Sequence, residues 1–215
     1  VSRNIERVNF PLLDTISGII NINNEFSIKT IYAPLLKKIN SDIAITNTSL
    51  ENLLLPEVQE VRNVSLSSNT SLDSINFNKL SKITSGNYYH GINIINNASI
   101  NTLKFPSLKT TKSVTFNNNN SLRLIELDSL TNVNYVLRVN SNAQLVSIEA
   151  PQLFETGESG QVAPSINIYG NSILETVSIP SLRKVYDGID IRNNNLLDTS
   201  TQFPCEMYVF FNDSF

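Results

Sequence analysis

The chain is nearly empty of the residues that most enzymes and metal proteins depend on. Its 215 residues contain one Cys (Cys205), one His (His90) and no Trp. A single Cys excludes an internal disulfide framework and a thiolate zinc site. A single His excludes most catalytic and metal constellations built on imidazole. Charged residues make up 16% of the chain and the net charge is −3. With no basic excess to neutralise phosphates, nucleic acid is not expected as a partner. There is no 18-residue apolar run, so no transmembrane helix is expected. The chain opens at Val1 rather than Met, with a repeat already running at Ile5. The N-terminus therefore reads as a processed or trimmed edge, and the missing signal peptide leaves the location open.

What is abundant is equally informative. There are 31 Asn, 26 Ser, 24 Ile, 24 Leu and 14 Val, and 40% of the chain is apolar. That is enough for a core, and this mixture disfavours helix while favouring strands and turns. The length fits one domain or one repeat array.

Aligning the chain on one apolar residue per turn exposes a repeat anchored at Ile5, Ile28, Leu50, Leu72, Ile100, Leu122, Leu145, Leu174 and Leu197, with spacings of 23, 22, 22, 28, 22, 23, 29 and 23 residues. Three residues before the anchor stands Asn in seven of the nine turns: Asn47, Asn69, Asn97, Asn119, Asn142, Asn171 and Asn194. Six residues after it stands Pro in six turns: Pro11, Pro34, Pro56, Pro106, Pro151 and Pro180. Before the Asn lies an alternating apolar pair, as in Ile43/Ile45, Ile92/Ile94 and Ile189/Ile191. Period two marks a strand with one buried face. A second short strand runs from the anchor towards the Pro, which ends pairing and turns the chain. No segment carries a helical period.

The expected fold is all-β: a single right-handed parallel β-solenoid of about eight 22–23-residue coils, spanning 1–215 as one repeat domain. Each coil buries its apolar columns only against its neighbours. The Asn column reads as a buried structural ladder, because Asn tolerates a tight corner and its amide can bond adjacent coils. After Leu197 the pattern breaks, so residues 198–215 read as a terminal coil or cap. Cys205 lies there, either as a small buried residue or as half of a disulfide to a part outside this chain.

The coil pattern, as in Val64-Ser65-Leu66-Ser67-Ser68-Asn69-Thr70-Ser71-Leu72 followed by Ile75-Asn76-Phe77, resembles the receptor L-domain type of leucine-rich-like repeat. Phe10-Pro11 and Phe105-Pro106, with Gly18, Gly91 and Gly188 before the strand pairs, resemble the fungal GPI-anchored cell-wall and sporulation-specific proteins. This resemblance implies a secreted, often glycosylated, non-enzymatic protein of cell-wall, spore-wall or surface-coat assembly, held in the wall or at the outer face of the plasma membrane. It carries over no active site. The Cys-bearing N-terminal cap, Ser/Thr-rich stalk and GPI signal of that family are not in this chain, which suggests a trimmed ectodomain.

Parallel β-helices also include polysaccharide-acting enzymes, which need clustered carboxylates or bases on one strand face. The outward residues of the main strand are Asn21, Ala44, Ser65, Asn93, Thr115, Arg138, Asn167 and Asp190, with one carboxylate among them. No catalytic residue, metal site or cofactor site is therefore expected. The alternative function is a ligand-binding ectodomain or adhesin recognising a glycan or protein through the main sheet and two long loops. Arg138, Tyr169, Asp190 and Arg192 are its candidates on the sheet. The two long coils place six or so extra residues at one point, just before the main strand, and supply Tyr88, Tyr89 and His90 in one loop and Glu158 and Gln161 in the other.

Six Asn-x-Ser/Thr sequons are present, at Asn47, Asn63, Asn69, Asn97, Asn119 and Asn212. Four fall in the ladder column, where the amide should point inward. Asn63, just ahead of a strand, and Asn212, near the C-terminal end, are the expected glycan acceptors.

Overall fold

The computed structural model describes residues 5–85, 87, 90–158 and 164–197, and the backbone of 209–211. Among these residues every regular element is a strand and every strand pair is parallel. The chain is the expected β-solenoid of about eight turns.

The main sheet stacks the eight alternating pairs in one register. Ile20 aligns with Ile43, Ile43 with Val64, Val64 with Ile92, and Ile92 with Val114. Val114 then aligns with Leu137, Leu137 with Ile166, and Ile166 with Ile189. A ninth rung, Val209–Phe211, pairs with Ile189–Ile191. The inward residues from Ile43 to Ile191 are buried. Their alternating neighbours face outward, as period two requires.

A second face holds three-residue strands running from the anchor towards the Pro column. Arg7–Asn9, Thr30–Tyr32, Asn52–Leu54 and Ser74–Asn76 form one sheet; Thr102–Lys104, Leu124–Glu126, Ser147–Glu149 and Thr176–Ser178 form another. The break between them falls where the first long loop enlarges a coil. The Pro residues then sit inside turns closed by backbone bonds such as Leu36 N–H to Ala33 O (3.4 Å), Leu108 N–H to Phe105 O (3.3 Å) and Leu153 N–H to Ala150 O (3.1 Å). Pro fits there because its fixed φ suits the first central residue of the turn.

A third face was not expected. Thr15–Ile16, Lys38–Ile39, Glu60–Val61, Lys82–Ile83, Glu155–Thr156 and Lys184–Val185 are two-residue strands just after those turns. In two coils this strand fuses with the main one, giving Thr110–Asn117 and Asn132–Asn140, with an irregularity in pairing between Thr111 and Ser113. Two residues are too few to show a period, so composition carries no sign of them.

Phe77, Phe105 and Phe116 fill the core beside the first long loop, with ring centroids 6.2 Å apart in both successive pairs. Val8, Leu13, Ile16, Ile20 and Ile22 line an apolar concavity of about 340 Å³.

The corner after the main strand explains the wealth of Asn. Two adjacent columns run along it. The first is left-handed in every coil: Asn24, Asn47, Ser68, Asn96, Asn118, Ser141, Gly170 and Asn193 have φ between 53° and 69°. Gly and Asn carry that conformation at least cost. The second is the ladder. Asn69, Asn97, Asn119, Asn142 and Asn171 are fully buried. Each ladder Oδ1 accepts the backbone N–H of the ladder residue one coil back, at 2.9–3.2 Å from Thr48 through Asn171. Each Nδ2 donates to a main-strand carbonyl, for example Asn69 to Ile45 and Asn119 to Ile94, both 2.9 Å. Most then close a turn from their own carbonyl to the anchor N–H, as Asn119 O does with Leu122 at 3.0 Å. That turn sets the three-residue spacing.

Asn47 corrects the sequence reading. It is exposed and left-handed (φ 53°), one place ahead of the ladder. Thr48 takes the ladder position, giving its N–H and its hydroxyl to Asn69 Oδ1 at 3.2 and 2.7 Å. This corner is one residue short, because Leu50 N–H bonds Thr48 Oγ1, two residues back, at 3.2 Å. Counting three back from Leu50 therefore lands on the wrong column.

Candidate functional site

The candidate contact face is the outer surface of the main sheet. Its central column runs Asn21, Ala44, Ser65, Asn93, Thr115, Arg138, Asn167, Asp190, one residue per rung. The first five are small and uncharged. Parallel, in-register pairing repeats the same outward position in every coil.

Towards the C-terminal end the structure brings four of the expected residues together. Arg138, Asn167 and Asp190 stand in successive rungs. Asp190 Oδ2 accepts from Asn167 Nδ2 at 3.3 Å and lies 3.2 Å from Arg192 Nη2. The Arg192 guanidinium sits 5.6 Å from the centre of the Tyr169 ring, which is 36% exposed. Asn167 Oδ1 is buried with no hydrogen-bond partner. The cluster offers a stacked aromatic, a guanidinium and a carboxylate: groups that orient hydroxyls or a peptide.

The two long loops lie beside the same sheet. In the first, His90 Nδ1 and Ser85 Oγ are 2.9 Å apart, and Ser85 Oγ accepts the Asn87 N–H at 3.2 Å. Tyr88 and Tyr89 lie outside the described residues. The loop re-enters the sheet at Gly91, where a Cβ would lie 1.9 Å from Ser113 O. In the second, Glu158 pairs with Lys112, so it is tied to a coil 46 residues earlier. Gln161 lies outside the described residues, as do Cys205 and Asn212. Glu155, Glu158, Tyr186, Asn132 and Asn134 line a shallow polar pocket of about 310 Å³ at the base of this loop. Lys184 reaches both Glu155 and the Tyr186 hydroxyl, and the latter bond raises its pKa.

At the strand edge near the first loop, Arg62 donates to both Asp42 carboxylate oxygens at 2.7 and 2.9 Å. The bidentate bond holds the Asp42 carboxyl below its ordinary value; the nearby His90 adds a smaller pull.

Asn63, an expected glycan acceptor, is little exposed. It lies within the strand Asn63–Ser67, 7% exposed, with Oδ1 accepting the Gly91 N–H at 2.9 Å and Asn93 Nδ2 at 3.4 Å. The first long coil-to-coil step leaves Gly91 opposite Asn63 with no side chain of its own, and the Asn63 amide oxygen takes up the Gly91 N–H.

Among the described residues no three His, Cys, Asp or Glu side chains group to hold a metal ion, and no helix is long and apolar enough to cross a membrane. Comparison with protein-family models, curated proteins and solved structures finds no match.

Proposed function

We propose that this chain is a non-enzymatic extracellular protein of a cell wall, spore wall or other surface coat. Its polar main-sheet face is the contact with coat glycan or a surface protein. The observation that carries this reading is the single in-register column from Asn21 to Asp190, uncharged over its first five rungs. Eight rungs at about 4.8 Å give a ribbon roughly 34 Å long. A ribbon of amides and hydroxyls suits an extended polymer better than a single small substrate. The likeness of the repeat to fungal GPI-anchored wall proteins supports the same placement.

Co-sedimentation of the purified chain with insoluble β-glucan, chitin and mannoprotein tests it. The chain should pellet with at least one fraction. Ser65→Arg, which puts a long cation on the face, should reduce pelleting at least fivefold with an unchanged melting temperature. A chain that stays in solution with every fraction, or a Ser65→Arg variant that binds as wild type, overturns the proposal.

The Tyr169–Arg192–Asp190 cluster favours a second reading, an adhesin or ectodomain that recognises one discrete glycan or peptide. Under it, Tyr169→Ala alone abolishes binding while Ser65→Arg leaves it intact.

A further inference from the structure

The structure places five of the six sequons, and their surroundings differ sharply. Asn69, Asn97 and Asn119 are 0% exposed. Both Nδ2 hydrogens are used in each: Asn69 donates to Ile45 O at 2.9 Å and Asn97 Oδ1 at 3.2 Å, and Asn119 to Ile94 O at 2.9 Å and Asn142 Oδ1 at 3.4 Å. Asn97 donates to Leu66 O and Ile95 O, both at 3.0 Å. A sugar on any of them removes one of those hydrogens and drives a bulky polar group into the core. Asn63 is 7% exposed, with its Oδ1 held by the Gly91 N–H at 2.9 Å and Asn93 Nδ2 at 3.4 Å. Asn47 alone is open to solvent.

We infer that Asn47 is the glycan acceptor among these five residues. It heads the sequon Asn47-Thr48-Ser49 and stands exposed on the left-handed corner column. Its Nδ2 makes one bond, to Asn24 Oδ1 at 2.6 Å, on an exposed surface. Glycosylation leaves the amide nitrogen one hydrogen, and the bond it can lose to Asn24 is an exposed one that water replaces. The ligand class is an oligosaccharide carried on a lipid pyrophosphate. Nδ2 bonds to C1 of the sugar, the bond from C1 to the pyrophosphate oxygen breaks, the lipid pyrophosphate leaves with the electron pair, and one amide proton is lost. Transfer can reach every sequon of a nascent chain, but a chain modified at Asn69, Asn97 or Asn119 cannot close its coils, and Asn63 offers only 7% of its surface. The folded pool therefore carries sugar at Asn47.

This inference rests on the extracellular reading only for its occurrence in the native host. The experiment supplies the route, so the two fail separately. The chain is fused to a signal peptide and secreted from yeast, and the folded fraction is mapped by glycopeptide mass spectrometry. Asn47 should be occupied and the other four empty. Ser49→Ala, which keeps Asn47 and its bond to Asn24, should remove that glycan and leave the melting temperature unchanged. An empty Asn47, or sugar on folded protein at any of the other four, overturns the inference. If the wild-type chain is retained in the cell, a variant carrying Ser65→Ala, Ser71→Ala, Ser99→Ala and Ser121→Ala keeps the Asn47 sequon. It should then be secreted with Asn47 occupied; its retention, or an empty Asn47, overturns the inference equally.

Discussion

Asn119 Oδ1 accepts the backbone N–H of Asn97 at 3.0 Å, while Asn119 Nδ2 donates to Ile94 O at 2.9 Å, inside a corner that water does not reach. One side chain thus satisfies two buried backbone groups of the preceding coil. The next Asn does the same for it. The ladder is a substitute for the strand pairing that ends at this corner.

Asn119→Ala leaves the buried Asn97 N–H without its partner and removes the side-chain bond to the Ile94 carbonyl. Unsatisfied buried groups cost about 1–3 kcal/mol each, partly relieved by local relaxation. A loss of about 2–3 kcal/mol in urea unfolding is expected. A loss below 0.5 kcal/mol, on the order of a surface change, would show that the corner rearranges around the gap.

The neighbouring column should answer to different substitutions. Asn96 is left-handed at φ 59° and exposed. Asn96→Gly should therefore be within about 0.5 kcal/mol of wild type, because Gly adopts this conformation freely. Asn96→Val should lose roughly 1–2 kcal/mol to backbone strain. Equal effects of Gly and Val in thermal melts would exclude conformation as the reason for Asn at this corner.

Gly91 should resist the smallest enlargement. A methyl group there would sit 1.9 Å from the Ser113 carbonyl oxygen, and that oxygen belongs to backbone in the sheet. Gly91→Ala must push apart two strands, at a cost of about 1–3 kcal/mol or more. Gly18, with nothing within 4 Å of the same position, is the control. Its change to Ala should leave the melting temperature nearly unmoved.

The fold was legible because its signal is columnar. The pairs from Ile20/Ile22 to Ile189/Ile191 alternate with period two and recur with every coil, so strand, face and register all followed from spacing. The two-residue strands had no period to read. Asn47 was misassigned because an offset from Leu50 cannot sense a deleted corner residue. Yet Asn, Ser or Gly directly before each ladder residue was a visible sign of a left-handed column. The low exposure of Asn63 was not legible because it depends on Gly91, which is 28 residues away and faces it only after the long loop. The cluster of Tyr169, Asp190 and Arg192 was half legible: the rungs set their neighbourhood, while the hydrogen bonds depend on rotamers.

The Asp42–Arg62 pair gives a pH signature. The two Arg62 hydrogen bonds hold the Asp42 carboxyl below its ordinary value of 3.8. A depressed folded-state pKa means that the unfolded chain binds the proton first as pH falls. The pair's contribution is therefore fully present above the ordinary carboxylate range and is lost as pH drops through the folded-state value. Asp42→Asn should be less stable than wild type at pH 7, with the difference shrinking below about pH 4. The Arg62 side chain is 48% exposed, so solvent screening keeps the effect small and salt should reduce it further. Urea midpoints of both proteins at pH 7 and pH 3, each with and without 1 M NaCl, are the measurement. A gap that stays the same on acidification would mean that Asp42 acts through packing against the strand rather than through its charge.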